Sequence, residues 1–123
     1  MKTIDSLRTI NGDAIDKMEQ AVDEINKLMP SSNLDDEARL IARRASLQAQ
    51  INNQAIVRAH LRASVVVVDF DPADETALDS LNNQMDRFIV SGLAVGAMLS
   101  LVPTLIDTAI GIGNSITSHT GAG

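Results

Sequence analysis

His60 and His119 are the only side chains in the sequence with an ordinary acid–base group near neutral pH, so any proton-transfer chemistry would have to run through one of them. Neither stands at motif spacing from a nucleophile. The chain has no Cys, Trp or Tyr and only two Phe, which removes thiolate nucleophiles, disulfides, Cys-based metal sites and stacking platforms for bases. No nucleophile elbow, phosphate-binding loop or HExxH pattern occurs, and Gly111-Ile112-Gly113 lacks the preceding strand that a dinucleotide site requires. The acidic group Asp69, Asp71, Asp74, Glu75 and Asp79 resembles a calcium loop in composition, but position 73 is Ala and no Gly follows at the turn. Capping of a helix that starts at Pro72 explains it better. The expectation is a protein without catalytic, cofactor-binding or metal-binding residues, needing no cofactor.

The elements carry the information instead. The 123 residues have 16 acidic and 10 basic side chains and a net charge of −6, the wrong sign for a general nucleic-acid binder, so nucleic acid is not an expected partner. Ile15, Met18, Val22 and Ile25 recur at steps of three and four, the spacing of one helix face. Asn11-Gly12-Asp13 reads as a turn that separates Met1–Ile10 as a short arm, and Asp13/Lys17 and Asp23/Lys27 are acid-first pairs four residues apart. Pro30-Ser31-Ser32-Asn33 ends this helix and opens a second, whose first turn holds Asp35, Asp36 and Glu37.

From Leu34 to about Val68 there is no Gly or Pro, which allows a helix of roughly 50 Å. Leu40, Leu47, Ile51 and Leu61 lie on one seven-residue stripe, interrupted by Arg44, Gln54 and Arg58, and polar intrusions of this kind set register or oligomer state more than they add stability. Helix one is acidic, whereas helix two carries Arg39, Arg43, Arg44, Arg58 and Arg62, so charge complementarity within the hairpin or between subunits is expected, with a protein partner at the Arg-rich helix as a further use. Val65-Val66-Val67-Val68 reads as the end of this helix, with a short strand as the alternative. The expected fold is all-α. Residues 1–70 form an antiparallel, coiled-coil-like hairpin, residues 71–114 form one long apolar helix kinked near Pro103 and ended by Gly111 and Gly113, and residues 115–123 form a tail.

The run from Phe88 to Ile106 holds 19 residues without a charge, enough to cross a bilayer core of about 30 Å. Gly92, Gly96, Ser100 and Thr104 stand every four residues within it, a strip of small side chains that would let another helix approach. Three burials compete: between subunits, in lipid, or within the chain's own bundle. Asp107 ends the stretch, either as a pH-sensitive brake on insertion or assembly or as a carboxylate emerging into water.

The helix, Pro-Ser loop and helix from Asp13 to Val68 resemble in layout the hairpin subunits of bacterial secretion needles and filaments, from which the long apolar third helix departs. The expected function is a non-enzymatic, homo-oligomeric structural subunit of a filament or secretion apparatus, assembled through the apolar helix. A membrane-inserting or tail-anchored pore former, with the lipid bilayer as partner, is the main alternative. A soluble adaptor, chaperone or immunity-type binding protein is the third. No Sec signal pattern opens the sequence, so the expected location is the membrane or a non-Sec secretion route, with the N-terminal part cytoplasmic if the apolar helix spans a bilayer.

Overall fold

The computed structural model of the protein describes residues 2–63 and 70–119. Among these residues the fold is all-α, with four helices and one 3₁₀ turn in place of the expected three helices. The valine run at 65–68 and Asp69 lie outside the described residues.

Helix α1 (Ile4–Leu28) begins at Thr3, whose hydroxyl accepts from the Ser6 amide at 3.1 Å while the Ser6 hydroxyl accepts from the Thr3 amide at 3.1 Å, a reciprocal cap that satisfies two otherwise unpaired donors. The helix runs straight through Asn11-Gly12-Asp13. Asn11 is fully buried, continuing an inward stripe with Leu7, Ala14, Met18, Ala21 and Ile25, so its environment is the core rather than a turn. Neither expected acid-first pair forms as read. Lys27 pairs with Glu24 at 3.3 Å, and the Lys17 ammonium donates to the Phe88 carbonyl at 2.8 Å.

The 3₁₀ turn Met29–Ser31 reverses the chain. Asn33 then caps α2 (Leu34–Ala63) by accepting from the Asp36 amide at 2.8 Å. Asp71 does the same for α3 (Pro72–Arg87), accepting from the Asp74 amide at 2.8 Å, with Pro72 in the first turn where its missing N–H costs nothing.

The expected single helix over 71–114 is two helices. α3 stops at Arg87, residues 88–94 form a connection in which Gly92 has φ +73°, and α4 (Val95–Ser118) follows. That backbone conformation suits Gly, and it lets α4 fold back along α3. Gly111 and Gly113 do not end α4, and Ser115–Ser118, expected in the tail, form its last turn.

Contacts link α1 to α2, α2 to α4, α4 to α3 and α3 to α1, with α1 also touching α4 across the bundle. Arg8 bonds Leu61 and Asn11 bonds Gln54, so α1 and α2 are antiparallel; Arg43 bonds Leu99 and Gln54 bonds Ala109, so α2 and α4 are parallel. One core holds Leu7, Met18, Leu47, Leu78, Leu105 and Ile112, each wholly removed from solvent and contributing about 1.5–3 kcal/mol by that burial.

Candidate functional site

The interior carries a polar layer across three helices. Asn11 on α1 donates from Nδ2 to the Gln54 carbonyl and to Gln54 Oε1, both at 3.1 Å, and Gln54 Nε2 donates onward to the Ala109 carbonyl on α4 at 2.8 Å. Gln54 is 2% exposed. A Cβ on Gly113 would stand 2.6 Å from Gln54 Nε2, so the absence of a side chain there admits the amide. Asn11 Oδ1 is buried without a partner among the described residues, which costs about 1–3 kcal/mol and offsets part of what the hydrogen bonds of this layer contribute. Gln54 was legible as a polar intrusion in the α2 stripe; Asn11 was hidden because Asn-Gly is a common turn dipeptide.

A second feature lies at Pro103, inside α4. Proline has no amide hydrogen to give the carbonyl four residues earlier, which is Leu99. Arg43 on α2 supplies the missing donor, its Nε bonding the Leu99 carbonyl at 3.2 Å. Arg44 reaches Asn26 Oδ1 at 2.7 Å and Met29 sulfur at 3.4 Å, while Arg39, Arg58 and Arg62 are exposed. Among the described residues no ion pair joins an α1 carboxylate to an α2 arginine, because the inward arginines engage backbone, amide and sulfur acceptors instead.

The far end of α4 is clasped to the start of α3. His119 Nδ1 stands 2.8 Å from the Ser115 carbonyl, Nε2 stands 2.9 Å from Asp74 Oδ2, and the ring stacks on Phe70 with centroids 4.1 Å apart. Both ring nitrogens face acceptors, an arrangement that suits the doubly protonated imidazolium. The Ser115 carbonyl is the main cause raising the His119 pKa, with Asp74 and Asp71 adding and burial opposing. Lys2, just ahead of α1, forms an ion pair with Asp79 on α3. Near the other end of the α1–α3 contact, burial and the neighbouring carboxylates of Asp86 and Asp16 raise the pKa of Asp13, against the pull of Lys17.

Most of the hairpin residues share one interior. Met18, Ile25, Leu40, Leu47 and Leu61 lie in the common core, half-buried Val22 and Ile51 pack against it and line a groove of about 320 Å³ between α1 and α2, and Ile15 is buried outside that cluster. The small-residue strip is placed otherwise. Gly92 belongs to the connection ahead of α4, and Gly96, Ser100, Pro103, Thr104 and Asp107 are exposed on its outer side. Nothing lies within 4 Å of a Cβ built on Gly96, whereas one on Gly111 would meet Leu81 at 3.1 Å, so the close approaches within the chain occur at Gly111 and Gly113. The uncharged run 88–106 is not one membrane-length helix; among the described residues the helix of sufficient length and apolarity is α4, which includes Asp107.

The outer side of α2 was not singled out by its sequence. Leu34 is 85%, Ile41 43% and Ile56 56% exposed, at the spacing of a second stripe opposite the buried one. Among the described residues no cluster of three or more His, Asp or Glu is arranged to hold a metal ion. No protein-family model, curated protein or solved structure matches the chain.

Proposed function

We propose that the protein is a non-enzymatic helical subunit that works by association with copies of itself, as a building block of a filament or secretion apparatus. The observation that carries this reading is the exposure of Leu34, Ile41 and Ile56 in one line on α2, whereas the other exposed large apolar residues, Ile89 in the α3–α4 connection and Ile110 on α4, stand apart from that line. Large apolar side chains in one line on a helix surface favour docking of another surface. Most large side chains of α4, among them Met98, Val102, Leu105 and Ile112, pack inside the bundle, so apart from Ile110 the face α4 has to offer is the small-residue side carrying Gly96, Ser100 and Thr104. Two separate self-complementary faces on one subunit join more than two copies, and they give an open chain where their two-fold axes do not close into a tetramer.

The test is light scattering and negative-stain microscopy of the purified chain without detergent over a wide concentration range. Masses that are multiples of one chain, growing with concentration, are the expected result. A single-chain mass throughout would overturn the proposal.

Membrane insertion is the second reading, favoured by the length and apolar composition of α4. Insertion would require α4 to leave α1, α2 and α3, uncovering their core faces to water. Flotation with anionic and zwitterionic liposomes separates the readings: a self-associating bundle stays in the dense fraction, and an inserting one floats.

A further inference from the structure

We propose that the outer face of α2 pairs with the same face of a second copy, antiparallel, about a two-fold axis passing between Gln48 and Ala49. This deepens the self-association proposed above by naming the partner surface. The exposed stripe is symmetric in spacing about that point. Leu34, Ala38, Ile41 and Ala45 are spaced four, three and four apart, and Asn52, Ile56, Ala59 and Ala63 repeat the same intervals. In the antiparallel pair Ile41 therefore meets Ile56 of the second copy, Ala38 meets Ala59, and Ala45 meets Asn52. Each contact occurs twice, as a two-fold interface demands. All these side chains are exposed in the single chain, and the alanines admit a close helix approach of roughly 8 Å.

Charge fixes the direction. The first turn of α2 holds Asp35, Asp36 and Glu37, and its last turn holds His60 and Arg62. Under the same two-fold, Glu37 comes beside Arg62 of the second copy on one flank of the stripe and Asp35 comes beside His60 on the other. A parallel pair would instead set acid against acid and base against base. The antiparallel arrangement also opposes the two helix dipoles. The stripe from Leu34 to Ala63 is about 44 Å long, and α1 and α4, the helices that pack on α2, cover only its inner side.

The test uses the full chain. Because it has no cysteine, introduced thiols report on their own positions. Sedimentation equilibrium of Ile41→Glu and Ile56→Glu is expected to show at least a tenfold weaker association than wild type, with unchanged helical circular dichroism because both residues are exposed in the single chain. Under mild oxidation Ala49→Cys is expected to cross-link to itself. Leu34→Cys is expected to cross-link only when mixed with Ala63→Cys. Glu37→Arg should weaken the pair and Glu37→Arg with Arg62→Glu should restore it.

Self-cross-linking of Leu34→Cys would overturn the antiparallel pairing. Association that persists undiminished in Ile41→Glu and Ile56→Glu would overturn the α2 face while leaving self-association standing. A wild-type chain that is monomeric at all concentrations would overturn both.

Discussion

Helices α2 and α4 divide apolar surface in opposite ways. Among the described residues α4 is the one helix apolar enough to pass for a membrane span, yet apart from Pro103 and Ile110, the latter 37% exposed, what it shows to solvent is small or polar: Gly96, Ala97, Ser100, Thr104, Asp107 and Asn114. α2 is far more polar, carrying five arginines, yet it leaves Leu34, Ile41 and Ile56 uncovered. Mean composition therefore misjudges which helix has surface to spare. The volume and angular position of each side chain decide it, since burial follows area removed from water and not the count of apolar residues.

The contrast breaks most sharply in the core. Leu47→Ala on α2 and Leu105→Ala on α4 remove wholly buried side chains of equal size, and each is expected to lower stability by about 2–5 kcal/mol in urea unfolding. A loss confined to Leu47→Ala would mean that α4 is loosely held and available to leave the bundle.

Glycines sharpen the comparison next. Gly113→Ala must displace the buried Gln54 amide and is expected to cost about 1–3 kcal/mol by overpacking. Gly96→Ala enters open space and is expected to be neutral or to stabilise by up to about 1 kcal/mol through helix propensity. Equal effects on thermal unfolding would refute the division of α4 into an inner and an outer side.

The bridge between the two helices gives a smaller effect with its own control. Arg43→Ala leaves the Leu99 carbonyl without its donor and should cost about 1 kcal/mol. In a Pro103→Ala background the restored amide can serve that carbonyl, so the same Arg43→Ala change should cost close to nothing. Additive losses in this double-mutant cycle would show that Arg43 acts by packing alone.

The clasp at the end of α4 predicts the smallest change. His119 has a raised pKa in the folded chain, mainly from the Ser115 carbonyl, so its charged form stabilises the fold fully below about pH 6.5. That contribution is lost as pH rises through the raised folded pKa. The difference in melting temperature between wild type and His119→Ala should therefore be larger near pH 6 than near pH 9. A difference that is flat with pH would assign the clasp to stacking on Phe70 alone.

Part of this fold is legible in the sequence. The Pro-Ser reversal, the Asp71-Pro72 helix start and the all-α class follow from local rules of spacing and capping, and each appears where those rules put it, whereas the inward stripe of α1 runs through Asn11, Ala14 and Ala21 and leaves Val22 half-buried. The errors fall where a residue's local habit met a tertiary demand. Asn11-Gly12 turns many chains, but here Asn11 has a core partner in Gln54. Gly111 and Gly113 often mark helix ends, but here they make room for Leu81 and Gln54.

Sequence by itself determined which residues are helical in most of the chain, because hydrogen-bonded turns, caps and apolar periodicity act within a few residues of one another. Only the tertiary structure decided that the uncharged run breaks at 88–94 and that the inner arginines serve carbonyl, amide and sulfur acceptors. It also decided that the exposed apolar line belongs to α2. Those outcomes depend on which helix faces meet, a long-range condition in which burial of large side chains outweighs the preferences of the segment that carries them.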